Sequence, residues 1–260
     1  MTAILRVESR RLLRGTVVLT AAFVLLTVFM LAVFPSMAEE AEALEAAFPD
    51  YVMGLFGFEE MHTIEGFTAS YIFPFLWTLF VGVFFAYVAG GMIAGDVRSR
   101  RLDLTLSNPV SRESVLLQKL AALWLPLVVI NGVLFLVILG GSLALDETID
   151  PVMLALTHLY SVPYVLVCAA IGLLCSVTLD RSETAQAGAV IVVFVLWLVE
   201  GLSEMDPDLE WVGDLTPSRY FDPAAVLIHD EVPLLDSAIL LVAFVVLTGL
   251  AVVLFIRRDI

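Results

Sequence analysis

Stretches of about twenty residues without one charged side chain recur along this chain, and nothing else in it restricts the fold as much. A helix of about twenty apolar residues crosses roughly 30 Å of hydrocarbon, and it does so with its backbone polar groups paired internally. The spans read as residues 15–34, 68–94, 120–145, 152–179, 184–202 and 237–256. With 60% hydrophobic and 16% charged residues, the chain has too thin a polar coat for a soluble domain of this size. The expected fold is an all-α polytopic membrane protein, a single transmembrane domain over residues 1–260 with six transmembrane helices.

The connections carry their own signals. Ala3 to Arg14 is basic with interspersed aliphatics and predicts a short N-terminal helix at the membrane surface. Ser36-Met37-Ala38 has the small-x-small form of a cleavage site. The apolar run before it is longer than a signal-peptide core, which favours an uncleaved first span. Ala38 to Phe48 has a helical composition that Pro49 would end. Between spans five and six, Glu200 to Asp236 is rich in acid, proline and aromatics and predicts an outer, helical, hairpin-like loop.

Charge decides the orientation. With six spans, the N-terminus, the 2–3 and 4–5 connections and the C-terminus share one side, and they hold 12 of the 13 Lys and Arg residues. Only Arg219 falls on the other side. Cytoplasmic segments hold the Lys/Arg excess, so the expectation is a multi-pass protein of the cell membrane with both termini cytoplasmic. Of the 28 acids, 21 fall on the outer side. Such an acidic exterior, with twelve Arg against one Lys, has the composition of a salt-loving organism such as a halophilic archaeon. Full activity in dilute buffer and loss of activity in high salt would count against that origin.

Residues Gly95 to Lys119, GDVRSRRLDLTLSNPVSRESVLLQK, hold Arg98, Arg100, Arg101, Arg112 and Lys119 between two apolar runs. Pro109 fixes a turn, and Ser111 is placed to cap a helix whose second residue is Glu113, an acid near the positive helix end. Arginine forks suit directional contacts to carboxylates and carbonyls, whereas the same arginines could simply reach lipid phosphates and set topology. The Walker A loop needs a lysine in a glycine-rich turn, and the only lysine, Lys119, has no glycine near it. Any nucleotide must therefore be bound by another polypeptide.

Other candidates are weaker. Phe73, Trp77, Phe80 and Phe84 in span two, with Phe194 and Trp197 in span five, could wall a path for a lipophilic substrate or could form an interface belt. Asn131 inside span three predicts an interhelical hydrogen bond, and Glu200 sits where the fifth span meets the outer interface. Gly91 and Gly95, four apart, permit close helix approach. His62, His158 and His229 show no metal-site spacing, and HExxH is absent. Cys168 and Cys175 are seven residues apart, roughly 10 Å along a helix, beyond disulfide reach. No metal or cofactor is expected in the chain itself.

The order of a basic N-terminal helix, an acidic first outer loop, a second span and then the 95–119 segment resembles the ATP-binding-cassette (ABC) type-2 exporter permeases. Asp96, the run Leu102-Asp103-Leu104-Thr105-Leu106-Ser107, Pro109-Val110-Ser111-Arg112 and Lys119 match that family's pattern after span two. Arg100-Arg101 departs from its usual Gly-Thr. Arg6-Val7-Glu8 resembles the family's basic-x-acid N-terminal pattern. The stretches Phe48-Pro49, Leu55-Phe56-Gly57 and Ile64-Glu65-Gly66 resemble its first outer loop, and Leu215 to Pro223 resembles the stretch before its last span.

The resemblance implies that residues 96–119 couple to a separate ATPase subunit. Its implied contacts are Asp96, Arg98, Arg100, Arg101, Asp103 and Pro109, followed by Ser111, Arg112, Glu113 and Lys119. Arg6, Glu8 and Arg10 are further candidates on the N-terminal helix. It also implies a second permease copy, same or different, with spans two and five lining the path, and ATP with Mg held by the partner. Membrane lipid is a partner and nucleic acid is not. A gradient-driven carrier or channel should show inverted repeats or mid-membrane acids. An intramembrane hydrolase should show convergent polar side chains. The sequence carries neither signal, and no residue in it selects a substrate.

Overall fold

The structure, a computed structural model, describes residues 3–47, 60–203, 205 and 207–258. The helix end expected at Pro49 and the Leu55-Phe56-Gly57 stretch fall outside them. Every regular element among the described residues is helical. Six helices are long and apolar enough to cross a membrane. The first is Ala3–Ala47; the others are Ile64–Arg98, Arg112–Ala144, Pro151–Thr178, Ser182–Ser203 and Leu234–Arg257. Each expected span falls inside one of these to within a residue.

The helices overrun the spans where nothing stops them. The basic N-terminal turns and the first span form one continuous helix of 45 residues rather than two. Gly15 lies at the junction without breaking the helix, and Thr16 donates its hydroxyl to the Leu12 carbonyl at 2.9 Å. At about 1.5 Å per residue this helix is far longer than the hydrocarbon is thick, so its ends project beyond it. Pro35 sits within it.

Two spans change course at identifiable residues. In the third, helix Arg112–Ala121 gives way to Trp124–Ala144 through tight turns at Ala122 and Leu123. Pro126 follows, and it can supply no N–H to the carbonyl four residues back. In the second, Thr68–Val81 is wound as a π-helix with Pro74 inside it. The buried Tyr164 of span four donates its hydroxyl to the Thr78 carbonyl of that stretch at 2.5 Å. π-Helical turns are rare and usually short, so a stretch this long marks span two as locally unwound.

Spans two and four form the centre of the bundle. Over half of each apolar window is buried, 56% and 61%, against 22% for spans five and six. They approach closely at Gly172, where a Cβ would overlap the Ala86 carbonyl. At Gly90 a Cβ would stand 3.1 Å from the backbone of Ala185 and Gln186 in span five. Gly91 and Gly95 also face span five of this same chain, against the side chains of Gln186 and Ser182. Between spans five and six, the described part of the connection folds into short helical turns, Glu210–Gly213, Ser218–Tyr220 and Pro223–Leu227.

Candidate functional site

The 95–119 segment lies at the end of the bundle that also holds the Ala3 and Arg258 ends of the chain. Span two ends at Arg98, and Arg100 then takes a left-handed conformation, φ 54°, before the short helix Arg101–Leu106. Glycine enters that region without the steric cost an L side chain carries. Arg100 thus holds a backbone conformation that glycine favours, at the position where the sequence pattern departs from its resemblance. Leu102 is buried and anchors the short helix, while Leu104, two residues on, is 72% exposed. Asn108 donates from Nδ2 to the Leu104 carbonyl at 3.0 Å, and Val110 N–H bonds the Asn108 carbonyl at 2.7 Å around Pro109. Ser111 then caps the next helix, its hydroxyl accepting from Ser114 N–H at 3.2 Å.

These expected contact residues divide into two groups. Arg98, Arg100, Arg101, Asp103, Pro109, Ser111 and Glu113 are exposed, as is Leu104. Asp96 and Lys119 are buried, at 7% and 2% exposure. They do not join the exposed group because they bind each other: Lys119 Nζ lies 2.6 Å from Asp96 Oδ2 and 2.8 Å from Glu8 Oε1. Glu8 thus joins the triad instead of a contact face, and Arg11, which sequence reasoning passed over, bonds Glu8 at 2.8 Å. Arg11 and Arg101 each stand 3.9 Å from Asp96 at the rim. Arg6 and Arg10 are exposed along the first helix.

Arg112 is likewise turned inward. Its Nη1 donates to the carbonyls of Phe255 at 3.2 Å, Ile256 at 3.3 Å and Arg258 at 2.5 Å, and its guanidinium stands 6.0 Å over the Phe255 ring. The last carbonyls of a helix lack intrahelical partners and carry partial negative charge, so a guanidinium there is doubly favoured. Arg258 repeats the device on span four. It donates to the carbonyls of Ser176, Val177 and Leu179 at 3.3, 2.9 and 3.2 Å and pairs with Asp180 at 2.7 Å.

Two more ties complete the base. Arg98 pairs with Glu183 at the start of span five. Ser176 Oγ accepts from the N–H groups of Ile93 and Ala94 at 2.9 and 3.0 Å, two donors left without partners where span two breaks. Every one of the six spans is therefore tied at this end to at least one other by charged or backbone hydrogen bonds. The 98–113 surface stands on that base.

The opposite end is built differently. Phe73 and Trp77, expected on a substrate path, are fully buried in the chain's own core. Trp77 Nε1 donates to Asn131 Oδ1 at 3.3 Å, and Ser161 donates to the same oxygen at 3.3 Å. His158 Nδ1 lies 3.1 Å from it, and the imidazole is ringed by Phe73, Trp77 and Phe135. Asn131 thus joins spans two, three and four. Phe80 and Phe194 are exposed, and Phe84 and Trp197 half-buried.

Glu200 is 8% exposed, accepts the Thr216 hydroxyl and stands 3.6 Å from Arg219. Burial pulls the Arg219 guanidinium down, but the carboxylates of Glu200, Glu210 and Asp214 outweigh it and raise its pKa above the ordinary value. Among the described residues no group of three or more His, Cys, Asp or Glu side chains could hold a metal.

A family model described as ABC-2 family transporter protein matches residues 2–206. Comparison with curated proteins returns no match. The matched stretch takes in five of the six spans and the whole of the 95–119 segment, and so this chain belongs to the ABC-2 family of transporter membrane proteins.

Proposed function

We propose that this chain is the permease subunit of an ATP-driven exporter, coupled through residues 98–113 to a separate ABC ATPase and paired with a second permease copy. The observation that carries the reading is the exposed 98–113 surface seated on a base tied to all six spans. A soluble partner gripping that surface meets Leu104 as an apolar anchor, with Arg98, Arg100 and Arg101 as directional donors to its carboxylates. Movement of the surface passes through Arg112 to spans three and six, and through Asp96 and Lys119 to spans one, two and three. Asp96, Lys119 and Arg112 then act as positioning residues rather than as contacts.

The chain's one lysine is held by two carboxylates inside the base, with no glycine-rich loop around it. ATP and its Mg belong to the partner, and this chain does no bond chemistry. The concentration of Lys and Arg at the base supports a cytoplasmic position for it and for both termini. Co-expression with candidate ABC ATPase subunits tests the reading. A stable complex whose ATP hydrolysis drives cargo across a vesicle membrane is expected. A chain that purifies alone and moves cargo down an ion gradient would end it.

A further inference from the structure

A cavity of about 990 Å³ opens at the end of the bundle away from the base, between spans two and five, the start of span six and the connection before it. That is the size at which pockets of about 300–1,000 Å³ enclose drug-sized ligands. Its walls are of two kinds. Tyr71, Phe75, Trp197 and Phe221 supply aromatic surface, with Phe75 and Trp197 in contact at 6.4 Å between ring centroids. Glu200, Asp222 and Asp236 supply carboxylates, and Arg219 is the one guanidinium among the lining residues.

Arg219 is already engaged. Its guanidinium stands 2.9 Å from Glu210, 3.6 Å from Glu200 and 3.8 Å from Asp214. The Glu200–Arg219 pair is therefore internally neutral toward the cavity. Asp222 Oδ1 accepts from the N–H groups of Ala224 and Ala225 at 2.8 and 3.2 Å, a cap that holds its carboxylate in place. Among the described residues, no Lys or Arg pairs with Asp222 or Asp236. His229, also on the wall, is exposed.

Fixed negative charge between low-dielectric walls focuses the field, and aromatic faces attract cations through their quadrupole. Both features repel an organic anion. A small hydrated metal ion would leave the aromatic surface unused. We infer that this cavity binds bulky lipophilic organic cations, with Asp222 and Asp236 as charge partners and Trp197, Phe75 and Tyr71 as the apolar wall. As a statement about cargo, this rests on reading the chain as a transporter; as a statement about binding, it stands alone.

Equilibrium dialysis of the purified chain in detergent, with protein-free micelles subtracted, tests it using two ions of one shape and opposite charge. The probes are tetraphenylphosphonium and tetraphenylborate. In the D222N/D236N double variant, tetraphenylphosphonium affinity falls about tenfold, the order expected for loss of two partly solvated charge contacts beside an aromatic wall. Tetraphenylborate affinity does not fall. Asparagine preserves the cap at 222, and an unchanged melting temperature verifies the fold. Trp197→Ala weakens tetraphenylphosphonium binding as well. Unchanged tetraphenylphosphonium binding in D222N/D236N would overturn the inference, and so would equal weakening of both ions. No ATPase takes part, so that failure would leave the coupling reading untouched. A chain that binds the cation and never associates with an ATPase would defeat the coupling reading alone.

Discussion

The two ends of this bundle use polar groups in opposite ways. At the base, charges are turned inward: Lys119 toward Glu8 and Asp96, Arg112 toward the end of span six, Arg258 toward the end of span four. At the far end a local cluster, Thr216 and Arg219 on Glu200, leaves an open aromatic cavity with carboxylates on its wall. A base of cross-span hydrogen bonds resists relative sliding of helix ends and moves as a unit. At the far end the Asn131 network joins spans two, three and four and leaves spans five and six outside it. The difference teaches where force would enter and where space would open.

Lys119→Met attacks the base hardest. It leaves the buried Asp96 facing the partly buried Glu8, and breaking a buried pair costs about 3–5 kcal/mol, with the lower end expected because Arg11 still pairs with Glu8. A large fall in melting temperature is expected, with Asp236→Asn at the other end within about 0.5 kcal/mol of wild type. Equal effects would erase the contrast. Next comes Gly172→Ala, where the added Cβ meets the Ala86 carbonyl and overpacking costs about 1–3 kcal/mol. Gly132→Ala, with nothing within 4 Å of its Cβ, is expected to be neutral or better. Paired denaturation curves in detergent compare them.

Arg258→Ala removes charge-assisted bonds to three carbonyls of span four, and hydrogen bonds to charged groups contribute about 1.5–3 kcal/mol. Because the guanidinium is partly solvated, the lower end is expected. Hydrogen exchange should quicken at the 176–179 carbonyl end of span four and not at the Glu200 end of span five. The smallest effect is at Arg100→Gly, which relieves the left-handed strain and leaves the melting temperature equal or slightly higher, by up to about 1 kcal/mol. A fall there would mean that the Arg100 side chain contributes to the fold.

Much of this was legible in the sequence where the signal is local. Uncharged runs placed six spans inside the six long helices, though not the ends of those helices, and the Ser111 cap was readable from Ser-Arg-Glu alone. The departure at Arg100-Arg101 was visible as a mismatch, though not its outcome, an arginine held at φ 54°. What stayed hidden was long-range. Glu8 and Lys119 are 111 residues apart, and Arg112 bonds carbonyls 143 to 146 residues away. A backbone carbonyl as partner leaves no trace in residue identity. The same holds for Ser176, whose place opposite the break at Ile93 follows from packing. The π-wound stretch of span two was hidden too, because its apolar composition suits an α-helix equally well.

The division of residues 96–119 into an exposed contact face and a buried base is tested most directly by measuring ATPase binding to Leu104→Asp and Lys119→Met side by side with their melting temperatures. Leu104 is 72% exposed, so Leu104→Asp should lose ATPase association while keeping the wild-type melting temperature. Lys119→Met should lower the melting temperature. A Leu104→Asp chain that binds the ATPase with wild-type affinity would contradict the assignment of the 98–113 surface to the partner.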